Sequence, residues 1–366
     1  MRKIFILGGS DLQLDLILEA KKMFFYTIVL DMNEECIGAK WCDEFLHINI
    51  ADKELVLQKA KEYEIDAILT SATELGNLTA CFVGEKLGLN TNTYQTALNT
   101  TNKTLMKEIL KKHTIDTAKH KVFKKDEEII WNDFPCIVKP SDSSAGRGLS
   151  YCTSQNELQN AMQKAFKYTY NNTIIVEEYI KGEQYSIESI STDCRHQIIA
   201  INKEKIHPLP HVMEVSHTIP AVLQDETKMA LKELIPTILN AFQIIYGASH
   251  IEIRITEDGK IYIIELASRT GGWRSEMINL AYGISYSQLL LLSTLNLLED
   301  VKQSRNEKVV CNFLIDYKSY VTYKELKKSS THTLFEPFQL PEVSADFIAE
   351  HTGKSMGYYF VLEATR

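Results

Sequence analysis

The stretch from His250 to Glu265 holds two carboxylates whose spacing could organise a divalent cation. Asp258-Gly259, between two runs of alternating apolar residues, predicts a two-residue β-turn. Glu252 and Glu265 each stand six residues from it, so they face one another across the hairpin. Their Cβ atoms are then about 4.5–5.5 Å apart, where like charges destabilise. A period of two places Ile251, Ile253, Ile255, Tyr262, Ile264 and Leu266 on a core face, and His250, Glu252, Arg254, Ile263 and Glu265 on the other. Two carboxylates so close call for a proton, a cationic neighbour or a metal ion. Hard oxygen ligands suit Mg²⁺ or Mn²⁺, typically shared with substrate phosphates. Taken alone, the hairpin is explained equally well by a solvated face on which Arg254 and Lys260 balance the glutamates. Arg269 and then Gly271-Gly272, a turn that could offer backbone N–H groups to an anion, add weight to the metal.

Three further segments carry nucleotide chemistry in weaker form. Ile137-Val138-Lys139-Pro140 ends a strand on a lysine. The loop Ser141 to Gly148, with Ser143, Ser144, Gly146, Arg147 and Gly148, is small enough for its backbone to approach phosphate oxygens, and Arg147 adds charge. It lacks the Gly-Lys-Ser/Thr ending of a Walker A loop, and by itself such a loop is more often an ordinary flexible turn. Val176 to Glu183 is a strand running into a turn, whose free edge could pair with adenine while Glu183 accepts from ribose, although by itself the segment is more often an ordinary exposed strand end.

These residues must be held by a chain of 366 residues, too long for one ordinary core. With 45% hydrophobic and 24% charged residues it is globular, and its net charge of −8 argues against binding nucleic acid or anionic membrane through bulk charge. Residues 1–95 carry nine basic against fifteen acidic side chains, which assigns phosphate handling to the remainder. Seven cysteines without a CxxC pair suit reduced thiols, and no apolar run reaches the ~18 residues of a membrane span, so a cytoplasmic protein is expected. Strand signals at 4–7, 28–30, 45–48 and 67–69 alternate with helical spacing at 11–24, 52–63 and 75–87, predicting a parallel sheet with covered faces. The polar run Gly88 to Thr101 reads as a boundary. A helix at 103–112, strands at 121–123, 136–139, 149–152, 173–179 and 185–190, helices at 157–168 and 225–242, and the hairpin follow. The end has strand signals at 309–316 and 358–363 and no assignable motif. The class is α/β followed by α+β.

In this fixed order the pieces resemble the ATP-grasp superfamily of carboxylate–amine (or thiol) ligases, over about residues 1–300. Within it the chain looks most like the amino-acid/dipeptide ligase and carbamoyl-phosphate-synthase-like branch. The resemblance rests on Lys3-Ile4-Phe5-Ile6-Leu7-Gly8-Gly9-Ser10, Thr101-Asn102-Lys103, Lys139, the glycine loop, Glu177-Glu178-Tyr179-Ile180 and the paired glutamates. It implies an N-terminal precursor domain at 1–95, an ATP-grasp domain at 96–300 with a lid at about 116–180 and a central antiparallel sheet, and a C-terminal α+β segment at 301–366. Lys103 and Lys139 would contact phosphates or the adenine edge, and Ser143 to Gly148 would close over the β- and γ-phosphates. Glu177 and the backbone of Glu178, Tyr179 and Ile180 would read adenine. Glu183 would take the ribose, and Glu252 and Glu265 would hold magnesium. Arg269, with Lys139 and Arg254, would steady the transferring phosphoryl group. Many members carry Glu-x-Asn at the second metal position; Ala267 here leaves a second ion in doubt.

The implied chemistry activates a carboxylate as an acyl phosphate, which an amine then attacks, releasing phosphate. Glu214 and His217 in Pro208 to Ala221, a segment similar to a substrate-side loop, are candidates for the amine. Gly271, Gly272, Trp273 and Arg274 are candidates for lining the acceptor pocket; a structural histidine and simple packing of Trp273 explain those residues equally well. Small-molecule substrates, no nucleic acid, no membrane and a homodimer are the implied partners. The competing readings are a kinase releasing a phosphorylated product, a nucleotide-binding regulator to which Ala267 lends support, and a nicotinamide enzyme. The last is disfavoured because Gly8-Gly9-Ser10-Asp11-Leu12-Gln13 lacks the later glycine of the fingerprint.

Overall fold

Alternating apolar strands and capped helices build the first layer. They are β1 (Lys3–Leu7), α1 (Asp11–Lys22), β2 (Tyr26–Asp31), β3 (Glu44–His47), α2 (Lys53–Tyr63), β4 (Ala67–Leu69) and α3 (Glu74–Leu87). The strands pair in parallel in the order β3-β2-β1-β4. Ile4 to Leu7 are fully buried because helices cover both faces. Ser10 closes a capping box with Gln13 at the start of α1, and Gly88 in the left-handed region (φ +69°) ends α3. The protein is described here by a computed structural model covering residues 1–125, 127, 129–329 and 333–363.

The polar run expected to be a boundary is half helix. Thr93 caps α4 (Tyr94–Thr101) at the N–H of Thr96, and Thr100 and Thr101 return their hydroxyls to carbonyls one turn back, so threonines that look loop-like satisfy themselves inside the helix. Asn102 then caps α5 (Lys103–Lys112).

A four-stranded antiparallel sheet follows, ordered β5-β8-β6-β7, from β5 (His120–Lys124), β6 (Cys136–Pro140), β7 (Ser150–Cys152) and β8 (Thr173–Glu178), with α6 (Gln155–Phe166) between β7 and β8. It has its own core, including Trp131, Val138, Leu158, Ile174 and Val176.

The remaining elements are β9 (Glu183–Thr192), β10 (Arg195–Ile206), β11 (Glu214–Ile219), α7 (Asp225–Ala241), β12 (Gly247–Ile255), β13 (Ile261–Ala267), α8 (Arg274–Tyr282), α9 (Tyr286–Thr294), β14 (Lys308–Phe313), α10 (Tyr317–Lys328), β15 (Thr333–Phe335) and β16 (Tyr358–Glu363). Their strands form one eight-stranded sheet, β13-β12-β9-β10-β11-β14-β16-β15. One face packs on α7 and α5 through Leu231, Ile235, Ile238 and Met106; the other packs on α8, α9 and α1. One expectation changes here. The segment read as a substrate-side loop is from Glu214 onward strand β11, paired on both edges with β10 and β14. The C-terminal strands continue this same sheet. Among the described residues no helix is long and apolar enough to cross a membrane.

Candidate active site

The hairpin brings Glu252 opposite Glu265, but by a different route from the one its sequence suggests. Thr256 N–H donates to the Lys260 carbonyl (3.0 Å), so the turn is a three-residue loop, Glu257-Asp258-Gly259, with Gly259 at φ +83°. That shifts the register by one: Ile255 faces Ile261, and Ile253 faces Ile263. A β-bulge between Glu252 and Ile253 then shifts it back, and Glu252 pairs with Glu265. The two irregularities cancel at the glutamates but not between them. Ile263, expected on the polar face, is buried in the core with Ile251, Ile253 and Leu266; Ile264, expected in the core, lines the cavity; Tyr262 opposes Arg254.

Both glutamates line a cavity of about 390 Å³ between the three sheets. Each meets a cation. Lys103 Nζ lies 3.0 Å from Glu265 Oε1, and His250 Nε2 lies 3.5 Å from Glu252 Oε1. Burial pushes the Glu265 carboxyl up, but Lys103 and Lys139 outweigh it and hold it below the usual range. Two facing carboxylates on rigid strands, one held ionised by lysines, are a donor set that fits a hard divalent cation. Ala267 adds no third side-chain oxygen.

Behind this pair runs a buried chain of lysines and glutamate. Lys139 on β6 and Lys107 on α5 clasp Glu177 of β8 from either side, at 3.1 and 3.2 Å. Burial pushes Glu177 up; the two ammonium groups reverse that and bring it down to about 2. Lys107, dry and facing a single carboxylate, is instead pulled down to about 8, chiefly by burial. Lys107 does not line the cavity, but it belongs to the charge chain behind it and carries no motif. Its signal was the stripe Lys103, Met106, Lys107, Leu110 on the buried face of α5, where helical periodicity places two lysines in line with core residues.

The loop from Ser141 to Gly148 folds over this chain. Lys103 Nζ donates to the Ser143 carbonyl (2.6 Å), and Arg147 turns back on Ser144 Oγ and its carbonyl (both 3.1 Å). Ser143, Ser144, Gly146 and Arg147 line the cavity; Gly148, at φ +73°, does not, and packs against Pro140 and Tyr168. Glu177 to Ile180 line it too, yet much of their backbone is already engaged. Glu178 N–H donates to the Lys119 carbonyl and Tyr179 N–H to that of Pro135. The Ile180 carbonyl accepts from Arg254 (2.8 Å), which also bonds Gln184 and lies over the Tyr179 ring. Arg254 therefore braces the hinge between β8 and β9. Glu183 stands outside the cavity lining, paired with Lys203.

At the other end, Arg269 is tied to Glu74 of α3 and donates to the Thr270 carbonyl (2.9 Å), joining the first layer to the central sheet. Burial raises Glu74, but Arg269 overrides it, and the carboxyl sits at about 2. Glu214, His217, Gly272, Trp273 and Arg274 line this end, while Gly271 lies beneath it, its N–H donating to the buried Glu188 carboxylate (3.2 Å) rather than into the cavity. Trp273, while lining the cavity, also packs edge-on to Phe313 and Tyr358. Glu188 and Glu204, on strands without motif character, were invisible in the sequence. Glu188 bonds His250 Nδ1 at 2.5 Å and, with Glu252, raises that ring to about 10 against the effect of burial.

Residues 132–277 match the family model of the ATP-grasp domain. The chain carries an ATP-grasp domain. A D-alanine–D-alanine ligase of Geobacillus thermodenitrificans is 28% identical over 166 residues, 43% of this chain and 45% of that protein. An L-arginine-specific L-amino acid ligase of Bacillus subtilis is 27% identical over 262 residues, 67% of this chain and 62% of that one. The chain thus spans 45 to 62% of these relatives' length. The crystal structure of N5-carboxyaminoimidazole synthetase from Staphylococcus aureus complexed with ADP superposes with a TM-score of 0.80 at 18% identity, covering 100% of this chain and 93% of that one. The ATP-grasp domain so matched holds Lys139, the glycine loop, Glu177, both facing glutamates and Arg269; Lys103 and Glu74 come from before it.

Proposed function

We propose that the protein is an ATP-dependent ligase that activates a substrate carboxylate and joins it to an amine, giving an amide or peptide-like product, ADP and phosphate. One observation carries the reading: phosphate-seeking cations (Lys103, Lys139), a glycine loop and a facing pair of carboxylates open into the same cavity as Glu214 and His217. ATP would lie between the lid sheet and the central sheet, with Lys103, Lys139 and the loop Ser143 to Gly148 around its phosphates. Glu252 and Glu265 would hold Mg²⁺ or Mn²⁺, which when bound neutralises phosphate charge. Transfer of the γ-phosphoryl group to the carboxylate oxygen releases ADP; the amine nitrogen then attacks the acyl carbon and phosphate departs with the C–O bond electrons. Lys139 and Arg269 stabilise charge as it moves, and the loop, closed on the cavity, keeps water from the acyl phosphate. Arg254 acts by holding the hinge; Glu183, the expected ribose acceptor, lies outside the cavity lining. In this reading 1–95 is the precursor domain, 96–300 the ATP-grasp domain with its lid at about 116–180, and 301–366 a C-terminal extension whose described part runs to 363. Seven free cysteines suit a reducing, cytoplasmic setting.

Relatives named as amino-acid ligases direct the test toward amino acids. The protein is incubated with MgATP and paired amino acids, and ADP, phosphate and product mass are read together. Condensed product with stoichiometric phosphate is expected. A phosphorylated product without free phosphate would identify a kinase, and ATP binding without turnover across a broad panel a regulator.

A further inference from the structure

Glu204, Glu214 and His217 bring three potential ligand atoms within 4.8 Å of one another beneath the cavity, a spacing that could hold a metal ion. Arg274 decides otherwise. Its guanidinium is almost completely buried and sits among Glu188 Oε1 (3.2 Å), Glu204 Oε1 (2.7 Å), Ser186 Oγ (3.0 Å) and His217 Nδ1 (2.5 Å). A guanidinium only donates and does not lose its proton in proteins. His217 Nδ1 must therefore accept, and a neutral ring that accepts at Nδ1 carries its hydrogen on Nε2. The ring is neutral for the same reason: burial and then Arg274 depress its pKa to about 3. Nε2 lies 3.2 Å from Glu214 Oε2, yet it makes no aligned hydrogen bond, although His217 is buried and borders the cavity.

We propose that Arg274 is a positioning residue that locks His217 in the Nε2–H tautomer, so that this corner of the cavity is a donor–acceptor pair for substrate and not a metal site. Metal ligation would need a lone pair on Nε2 and hence a hydrogen on Nδ1, pointing at a guanidinium N–H. With Nε2 as donor and the Glu214 carboxylate beside it, the corner matches an ammonium group adjoining a carbonyl or carboxylate oxygen, the pattern of an α-amino acid end. That substrate assignment rests on the ligase reading; the tautomer does not.

The lock is read directly on native protein with ¹⁵N-histidine, through long-range ¹H–¹⁵N correlations of the ring nitrogens, His217 being assigned by its loss in His217→Gln. A neutral ring protonated at Nε2 is expected. A proton on Nδ1, exchange between both nitrogens, or an imidazolium at neutral pH overturns the proposal. Titration with Zn²⁺ alone is expected to show no binding that His217→Gln removes; such binding also overturns it. In Arg274→Lys, which keeps a positive charge for Glu188 and Glu204, the tautomer should become mixed and the KM of the amine substrate should rise ~10-fold with the KM of ATP within about 2-fold. Equal changes in both constants, or none, would mean that Arg274 is merely structural. Absence of any turnover by the native chain would strike the ligase reading, and the ring spectrum would still decide the lock.

Discussion

Glu177 and Lys107 should respond very differently to truncation, although they form one ion pair. Glu177 has two ammonium partners, Lys107 and Lys139, and its carboxyl falls from an ordinary 4.5 to about 2. At about 1.4 kcal/mol for each tenfold change in proton affinity, its charged form gains roughly 3 kcal/mol on folding. Lys107 moves the other way, from 10.5 to about 8, so its charge is a burden of similar size. The pair is therefore worth little in sum, and what each deletion leaves behind sets its effect. Glu177→Gln strands two buried ammonium groups beside each other and should cost about 3 kcal/mol or more. Lys107→Met leaves Glu177 with Lys139 and removes the burdened charge, and should cost about 1 kcal/mol or less. The double variant should be more stable than Glu177→Gln alone. Denaturant unfolding at pH 7 measures all three. pH supplies an independent check. Between about 8 and 10.5 the unfolded chain binds the Lys107 proton and the folded chain does not. This group's contribution to stability therefore rises with pH across that window, and Lys107→Met should lose the rise. Equal costs for the two single variants, or simple additivity in the double, would refute the reasoning.

Glu265→Gln should abolish most of the difference in nucleotide affinity between Mg²⁺ and EDTA; calorimetry of native and variant protein under both conditions checks it, and an undiminished Mg²⁺ effect would remove Glu265 from the metal site. Arg269→Gln should destabilise by about 1–3 kcal/mol at neutral pH. Because the folded Glu74 carboxyl lies at about 2 against 4.5, its contribution is present above 4.5 and lost as pH falls toward 2. The acid limb of the variant's stability curve should accordingly be shallower. Gly148→Ala places a Cβ 3.0 Å from Pro140 and from Tyr168 at φ +73°, and should loosen the loop by about 1–2 kcal/mol, seen as faster amide exchange confined to 141–150.

The fold class was legible from periodicity. Helix α5 has the bounds its sequence suggests, and β4 likewise, because apolar spacing and caps act over a few residues. The polar run before α5 misled, since threonine hydroxyls can bond either a turn or the helix's own carbonyls. The hairpin is the sharper case: the pairing of Glu252 with Glu265 was read correctly through a turn and a register that are both different in the structure. A bulge is a choice made by the partner strand and the core beneath it, and the faces of Ile263 and Ile264 moved with it.

Residue order alone places the chemistry along the chain: lysine, small-residue loop, hinge and two glutamates at spacings that local geometry turns into adjacency. Which charges meet depends on long-range packing. Lys107 reaches Glu177 from another layer, Arg269 finds Glu74 across 195 positions, and Arg274 gathers Glu188, Glu204 and His217 from three strands. Such groups leave no periodic trace, because their partners are chosen by desolvation: once buried, each charge must find its opposite wherever the fold has brought one within reach.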